Sequence, residues 1–538
     1  MTLGPVSNLL AFAVVLLVVV PWTQPWAPAP SPPVVPWLAS MVCAVALWAL
    51  AGVRARQLRP FVLGAGCLVL WAGWAHAPPR PEVLMLAAGM LLVLLCAGAA
   101  SNLPFARQLQ AGLVAAAAVS SALALLQYFG AAATPRWWLS PANVGMAYAN
   151  LRQPNHLASL CAIGAAVLIF GTLPWRCAAK RSLVCLLAVA AAASVSRTGL
   201  LEGAVLLALA GFWKGPQRPE RLKHCLAAVA SYAAASWLLP VLLEATQGVV
   251  STRTLWLRVI GDTGCESRRI LWDNVIHLIS RRPLVGWGWG ELDYAHYITP
   301  YDGARFCAIL DNAHNLPLHL AVELGIPAAL LACGAFVVWV CRRPPWREAS
   351  ALRQSAWAVL AVLGVHSLLE YPLWYGPFQM ALGLALGWLV APGAPELEGE
   401  AGRRTRAVIA LALAMAICDA AWDYLRVRQL YVEPELRFAW WKDEPEAPAR
   451  NAWLFSGAAR FADLTLTVPT ASNAARTHAL AQEVLHYSPE PRVIERLIES
   501  AMLLRRDEEA MRHVARYRAA FPAEYASWRL RHGGRLPP

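Results

Sequence analysis

The sequence predicts an all-α, polytopic membrane protein with a large loop and a helical tail on one face of the bilayer. Of its 538 residues, 58% are hydrophobic and only 15% are charged, whereas a soluble domain carries about 25% charged residues. Apolar runs long enough to cross a bilayer recur until shortly before residue 423. Beyond them the chain is charged and rich in Ala, Arg and Glu.

A transmembrane helix needs about 20 predominantly apolar residues, and the chain holds about thirteen runs approaching or exceeding this length. They lie near residues 6–20, 35–53, 60–75, 82–101, 109–129, 155–173, 182–195, 198–213, 224–243, 316–341, 353–371, 374–391 and 405–422. The first run does not have the features of a cleaved signal, because Pro21 and Trp22 follow it where small residues are expected.

Lys and Arg are concentrated in alternate connections between these runs. With the N-terminus in the cytoplasm, the even-numbered connections hold eighteen of them, and the short connections on the other face hold only Arg80, Arg136, Arg152 and Arg197. Because cytoplasmic loops carry the excess of positive charge, this orientation is favoured. It makes the net charge of +13 a mark of topology rather than of nucleic-acid binding.

An odd number of spans then places the long loop and the tail on the outer face, which for a bacterial inner membrane is the periplasm. We expect N-terminal transmembrane helices at 1–243, a periplasmic loop carrying part of the site at 244–315, C-terminal transmembrane helices at 316–422 and a periplasmic helical domain at 423–538. In the tail, segments 446–461, 472–488, 491–504 and 507–520 indicate short amphipathic helices of tetratricopeptide-like kind, although no clean repeat of about 34 residues is present. Such a domain would either contact the ligands of the site or merely cap the loop.

The stretch from Gly286 to Gly325 is the predicted site. Two Trp-Gly repeats lead to Asp311, Asn312, His314 and Asn315, just before an apolar helix that contains Glu323. His is the side chain best suited to accept a proton near neutral pH, and the asparagines and Asp311 would orient its ring or a substrate hydroxyl. The structural alternative is that His314 and Asn315 cap the helix.

Arginines on the face depleted of positive charge indicate an anionic ligand. Arg197 sits inside a nearly continuous apolar stretch, where a charge must be paired or hydrated; it either pairs with Glu202 or a neighbouring helix, or binds an anion such as phosphate. In the loop, Ser267–Arg282 has Ile270, Val275, Ile276 and Ile279 at helical spacing and is predicted to be an amphipathic helix on the membrane surface. Arg268 or Arg269 at its start would face the site.

Two further outer segments place amide and ionisable groups at membrane depth. The first runs from Asn150 to His156 and contains Arg152, Gln153 and Asn155, and the second runs from His366 to Tyr375 and contains Tyr371. A functional role is the default hypothesis for such groups, and interhelical hydrogen bonding is the structural alternative. Of the twelve cysteines, only Cys265 and Cys307 fall in the outer loop, where they would be able to form a disulfide. No metal-binding spacing is apparent.

These residues carry a family resemblance. The segment Leu151–Ala158, the Arg-initiated helix ending in Pro-Leu-Val-Gly-Trp-Gly-Trp-Gly, and Ala313-His314-Asn315 followed by Glu323-Leu324-Gly325 resemble PglL-type bacterial protein O-oligosaccharyltransferases. These form the pilin-glycosylating branch of the O-antigen ligase and polymerase superfamily. The Ala-His-Asn and Glu-Leu-Gly pattern is shared by the superfamily, and the Asn-Leu-Arg-Gln-Pro-Asn segment is most specific to the protein-glycosylating branch.

The resemblance implies a GT-C-like membrane fold and transfer of a preassembled glycan from undecaprenyl diphosphate to a Ser or Thr hydroxyl of a periplasmic protein such as pilin, without cofactor or metal. His314 would be the essential base or orienting group. Arg197 and Arg268 or Arg269 would hold the diphosphate, with Arg268 preferred because it precedes Trp272 by one helical turn. Gln153 and Tyr371, with Arg152 and Asn155 beside them, would recognise the lipid-linked donor.

Two alternatives remain open. A ligase acting on lipid A core, or a polymerase extending the glycan, would use the same His and arginines. A lipid-linked sugar transporter belongs to a different class and should show charged or broken helices at mid-membrane, whereas the polar groups here cluster at one face.

Overall fold

The computed structural model describes most of the chain. The described residues are 5–24, 30–31, 33–51, 56–75, 81–101, 103–130, 138–250, 264–391 and 399–531. Arg80 and Arg136, which entered the orientation argument, lie outside these residues, as does part of the predicted periplasmic loop.

Helices make up most of the described chain, and no strand occurs within it. In the part that contains the apolar runs, the helices before the loop are α1 Pro5–Val19, α2 Val34–Ala51, α3 Arg59–Ala75, α4 Pro81–Ala100, α5 Ala106–Tyr128, α6 Pro154–Phe170, α7 Cys177–Ser194, α8 Arg197–Phe212 and α9 Arg218–Gln247. The later helices are α10 Arg268–Arg281, α11 Leu292–Ile298, α12 Leu316–Leu324, α13 Ile326–Arg342, α14 Ala351–Leu369, α15 Gly376–Val390 and α16 Glu400–Arg428. The tail contributes α17 Glu446–Ala449, α18 Ser456–Leu466, α19 Ala474–Val484, α20 Pro491–Leu503, α21 Asp507–Ala520 and α22 Pro522–Arg531.

Every apolar run predicted above coincides with helix. Within the described residues, 8 helices are long and apolar enough to cross a membrane, and four shorter apolar helices accompany them at Asn8–Trp22, Arg59–Trp74, Pro154–Phe170 and Gly376–Val390. The chain is therefore a multi-pass, all-helical membrane protein, as its composition predicts.

The chain divides into two compact units. Unit 1 comprises 1–66, 87–261 and 336–417, and unit 2 comprises 67–86, 262–335 and 418–538. Unit 2 thus combines the predicted loop from residue 264 onward with the tail, while residues 244–250 belong to unit 1.

Small residues allow close helix packing in unit 1. A Cβ atom at Gly383 or Gly387 of α15 would collide with backbone carbonyl oxygens of Val93 and Ala97 on α4. Lipid chains are as apolar as leucine, so helices in a bilayer associate through close packing of this kind rather than through hydrophobic burial.

The apolar run 316–341 is not one helix, as the sequence predicts, but two. The helix α12 ends at Leu324, and α13 begins at Ile326 after Gly325, whose φ is 88° and ψ is 159°. This conformation is open essentially to glycine alone, and Pro327 lacks the N–H that a continuous helix would use.

The break brings the Trp-Gly repeats against the end of α12. Trp287 N donates to Val322 O and Gly288 N to Glu323 O, each at 2.9 Å, and Ile326 N donates to Pro283 O at 2.8 Å. A Cβ atom on Gly325 would collide with the backbone of Leu284. The Trp-Gly repeats and the Glu-Leu-Gly segment at 323–325 thus pack against each other through their backbones within unit 2.

A buried carboxylate joins the end of α16 to the tail helices that follow it. Asp423, near the end of α16 and fully buried, accepts hydrogen bonds from the backbone N–H groups of Trp453, Leu454 and Phe455 at 3.2, 2.9 and 2.9 Å. These amides lie in the interruption between α17 and α18, so the segment 446–461, predicted as one helix, is split in two.

The loop also contributes to the core of the tail. Tyr297 of α11 is buried among residues of α18 to α22, and its hydroxyl lies 3.0 Å from His513 Nδ1. Since α11 is part of the predicted loop, the tail and loop share one hydrophobic core.

The structure joins Cys265 to Cys307 through a disulfide. With a sequence separation of 42 between the two cysteines, loop-closure entropy predicts that the bond stabilises unit 2 by about 2–4 kcal/mol. We expect the double variant C265S/C307S to unfold at lower temperature than wild type in detergent. Equal unfolding temperatures for the oxidised wild type and the variant would contradict this.

The Gly325 contact makes a second prediction. Gly325→Ala should destabilise unit 2 by about 2–4 kcal/mol, because alanine is strained at this φ and ψ and its Cβ atom has no space. Gly303→Ala is the matched control, since a Cβ atom there meets nothing within 4 Å. Thermal unfolding of both variants should separate them clearly; equal losses would show that the close approach is unimportant.

Candidate functional site

The residues predicted to form the site fall into two groups, one in each unit. Unit 2 holds Arg268, Arg269, Asp311, Asn312, His314 and Asn315, and unit 1 holds Arg152, Gln153, Asn155, Arg197 and Tyr371. Each group is described by itself.

The backbone at His314 is held in a strained conformation. Its φ is 50°, in the left-handed region that costs an L-residue roughly 1–2 kcal/mol. The His314 N–H donates to Asn312 Oδ1 at 2.9 Å, and Asn315 Oδ1 caps α12 by accepting from Leu318 N at 3.1 Å. The capping interpretation therefore holds for Asn315, while His314 is half-buried in the turn before the cap.

Side chains on both sides hold the neighbouring peptide. Trp272 Nε1 of α10 donates to Ala313 O at 3.1 Å, and the Ala313 N–H points to His319 Nδ1 at 3.4 Å. His319 Nε2 in turn lies 3.2 Å from Glu323 Oε2. Neither Trp272 nor His319 was among the predicted site residues; the helical spacing of His319 and Glu323 was the available signal.

The start of α10 distinguishes the two candidate arginines. Ser267 caps the helix by accepting from Ile270 N, and Arg268 is half-buried whereas Arg269 is exposed. Arg268 and Trp272 are four residues apart and so share one face of the helix. The buried face of α10 includes Leu271, Val275 and Leu278 and packs inside the protein, while Ile276 is exposed. The prediction that the apolar face of this helix lies on the membrane surface is therefore wrong, because that face packs against other residues of the protein.

A further carboxyl group lies near the His314 turn. Burial raises the pKa of Asp293 well above its usual value, and the negative charges of Asp311 and Glu323 raise it further. Asp293 is at the start of α11, and nothing in its sequence surroundings distinguishes it. The acidic groups make this side of the turn favourable for a cation or a shared proton.

In unit 1, Glu370 organises the two outer segments. Its carboxylate is buried and accepts from Gln153 Nε2 at 3.3 Å and from Asn155 Nδ2 at 3.1 Å. Tyr371 follows Glu370 directly and stacks on Tyr375. The structure thus brings Gln153, Asn155 and the turn that carries Tyr371 together.

The same network reaches the helix that begins with Arg197. Ser196 Oγ donates to Asn155 Oδ1 at 2.7 Å and accepts from Gly199 N at 3.0 Å as the cap of α8. A Cβ atom at Gly199 would lie 2.6 Å from Ala158 Cβ, so glycine permits α8 to approach α6. The position of Arg197 at the start of α8 is tied through Ser196 and Asn155 to Glu370.

Glu202 does not pair with Arg197, the structural alternative considered above. Ser159 Oγ donates to Glu202 Oε1 at 2.5 Å and lies 2.7 Å from His366 Nδ1. All three side chains are fully buried. Residues five apart on a helix point about 140° away from each other at 3.6 residues per turn, which explains why Glu202 faces α6 and α14 instead.

Strained backbone marks the predicted segments. Within the described residues, the non-glycine residues with positive φ are Ala149, Arg152, Val195, His314 and Arg505. All but Arg505 lie in or beside the Asn150–His156 segment, the Arg197 turn and the His314 turn. Such strain persists only where the surroundings enforce it, and it clusters at functional sites. Gln127, missed in the sequence, enforces it at Ala149 by hydrogen bonding to both backbone groups of that residue.

The arrangement provides a proton acceptor on a fixed turn, arginines at two helix starts and amides held by a carboxylate. Across the described ranges, no group of three or more His, Cys, Asp or Glu side chains is placed to hold a metal ion.

Comparison with known proteins gives three family matches. A model described as protein glycosylation ligase matches residues 147–170, one described as O-antigen ligase matches 182–333, and one described as virulence factor membrane-bound polymerase, C-terminal, matches 354–532. The first covers the segment held by Glu370, and the second includes Arg197 and the His314 turn.

A general O-oligosaccharyltransferase of Acinetobacter baylyi is 25% identical over 262 residues, which is 45% of this chain and 44% of that relative. The match therefore spans less than half of either protein. Together with the family models, it confirms the resemblance read from the motifs: parts of the chain are similar to O-antigen ligases and to protein glycosylation ligases.

Proposed function

We propose that this protein is an O-oligosaccharyltransferase that moves a preassembled glycan from undecaprenyl diphosphate to a Ser or Thr hydroxyl of a periplasmic protein such as pilin. The observation that carries the proposal is the hydrogen-bonded chain from Glu370 through Asn155 to the start of α8. It organises the segment matched by the protein glycosylation ligase model together with Arg197. The strained His314 turn supplies a proton acceptor.

The chemistry requires little beyond positioning and charge neutralisation, because diphosphate is already a good leaving group. The acceptor hydroxyl oxygen attacks the anomeric carbon, and the bond from that carbon to the phosphate oxygen breaks. The hydroxyl proton passes to the His314 imidazole, and undecaprenyl diphosphate leaves with the bonding electrons. A single displacement of this kind inverts the anomeric centre.

Arg197 and Arg268 stabilise the charge that develops on the diphosphate. Guanidinium groups stay charged and bind phosphate oxygens in bidentate fashion. Each begins a helix, α8 and α10, and the positive end of the helix dipole favours an anion there. Gln153 and Tyr371 recognise the lipid-linked part of the donor in this proposal.

The orientation of the chain is part of the proposal. The positive charge between spans favours an inner-membrane protein whose loop and tail lie in the periplasm, where lipid-linked glycan and acceptor protein would meet. The helical tail then lies on the side of the acceptor, and we propose that it contacts the acceptor protein.

A ligase that transfers glycan to lipid A core, or a polymerase that extends it, is the second candidate. The O-antigen ligase and membrane-bound polymerase models, which match 182–333 and 354–532, favour it. Its chemistry at the donor would be the same, and only the acceptor would differ.

The first test is transfer to a candidate pilin in cells that make an undecaprenyl-linked glycan. Wild type should add one glycan-sized mass to the pilin, and His314→Ala should lose at least about 100-fold in transfer, because general-base catalysis contributes about 10²–10⁴-fold. Intact mass of the pilin at equal enzyme abundance measures this.

The control is His277→Ala, a histidine of α10 outside the predicted site. If wild type leaves the pilin unmodified but elongates glycan or links it to lipid A core, the protein is a polymerase or ligase. If His314→Ala transfers glycan as fast as wild type, His314 is not the base.

The arginines give a second test. Arg268→Ala should lower the transfer rate by at least about tenfold, since a charge-assisted contact contributes roughly 1.5–3 kcal/mol, and Arg268→Lys should recover only part of it. The exposed Arg269 should matter less. Initial rates with purified donor and a peptide acceptor measure both, and a larger loss for Arg269→Ala would reverse the assignment.

A further inference from the structure

We propose that His319 and Glu323 are positioning residues, which hold His314 in its active conformation by fixing which imidazole nitrogen of His319 carries the proton. The inference rests on the proposed function, because the pair would affect the rate of glycan transfer only if His314 accepts the hydroxyl proton. Neither residue contacts a substrate group in this proposal.

The pair is sealed from solvent. The side chains of His319 and Glu323 are 1% and 2% exposed, and His319 Nε2 lies 3.2 Å from Glu323 Oε2. They are four residues apart on α12, so both project from the same face of the helix. A buried carboxylate must be hydrogen-bonded, and here the available partner on α12 is the Nε2–H group of His319.

The contact with Glu323 fixes the tautomer. An imidazole that donates from Nε2 is left with a bare Nδ1 when neutral, and the hydrogen bond of one nitrogen determines the state of the other. Nδ1 of His319 faces the N–H of Ala313 at 3.4 Å. Only an unprotonated Nδ1 can accept from that N–H group, so Glu323 controls whether His319 attracts or repels the backbone next to His314.

The consequence reaches His314 through one peptide. Ala313 is held at its carbonyl by Trp272 Nε1 and at its N–H by His319, and it is itself fully buried. The next residue, His314, has a φ of 50°, which costs free energy and persists only under restraint. With Nδ1 protonated, the restraint at Ala313 N–H would become a repulsion, and His314 would relax away from the strained conformation.

A pair of substitutions at Glu323 separates hydrogen bonding from charge. Glu323→Met keeps the length of the side chain but cannot accept from His319, whereas Glu323→Gln retains an acceptor oxygen. We expect turnover to fall at least tenfold in Glu323→Met, because small displacements of a reacting group have large effects on rate, and to fall less than threefold in Glu323→Gln. The KM for the donor should stay within twofold in both.

Rescue tests the tautomer directly. Asn at position 319 places an acceptor oxygen close to where Nδ1 lies, and this acceptor does not depend on Glu323. The double variant H319N/E323M should therefore turn over faster than Glu323→Met alone. If the pair only fills space, the second substitution will leave turnover unchanged or lower it further.

A structural measurement accompanies the rates. Hydrogen–deuterium exchange of the peptide containing Ala313 and His314 should be faster in Glu323→Met than in wild type and unchanged in Glu323→Gln. Leu320→Ala, on the same helix but outside this hydrogen-bonded set, is the control for lost packing: it should lower the unfolding temperature and leave turnover per folded enzyme within twofold.

The outcomes separate this inference from the proposed function. If wild type transfers glycan and Glu323→Met, at equal abundance, turns over as fast as wild type, the positioning role is wrong and the function stands. Equal losses in Glu323→Met and Glu323→Gln would also overturn it. If wild type itself transfers no glycan to any protein, the proposed function fails and this role for the pair fails with it.

Discussion

The close backbone contact between the Trp-Gly repeats and the end of α12 is the constraint on which the His314 turn depends. Glycines at 286 and 325 allow two chain segments to approach to hydrogen-bonding distance, and a side chain at either position would separate them. The contact places the carbonyl groups of Val322 and Glu323 against the 287–288 amides. It therefore sets the direction in which α12 enters the turn and, with it, where His319 and Glu323 project.

In unit 1 the carboxylate of Glu370 holds the predicted site segments in place. The sequence alone assigns the amide side chains of Gln153 and Asn155 to ligand recognition. In the structure each of them donates a hydrogen bond to Glu370. The amide oxygen of Gln153 is buried and has no hydrogen-bond partner among the described residues. An acceptor of this kind suits a hydroxyl or N–H group of a donor lipid or sugar, and it does not suit a phosphate. In the proposed function, the diphosphate of the donor is therefore bound by the arginines rather than by Gln153.

The helices were predictable because membrane burial gives a strong composition signal, and each apolar run became helix. The interruption at Gly325 was not predicted, because hydropathy is continuous across it and the cause is a backbone conformation reserved for glycine. The motifs also pointed to the His314 turn and the segment around Gln153, both of which contain strained backbone; their role in a site stays a prediction. Glu370, Trp272 and Asp293 acquire their roles from partners that are distant in sequence, and neither periodicity nor spacing encodes those contacts. Pairing of Arg197 with Glu202 was one alternative that the sequence left open, but residues five apart on a helix do not share a face.

The way Asp423 and Tyr297 are used determines how the tail can change over evolution. Asp423, near the end of α16, accepts hydrogen bonds from three backbone N–H groups of the tail. Tyr297, from the loop, forms part of the tail's hydrophobic core. A tail attached in this manner is not a module on a tether. Exchanging the segment after α16 between related proteins would leave Asp423 without its backbone donors and Tyr297 without its pocket, so related tails are expected to differ by surface substitution rather than by exchange of the whole domain.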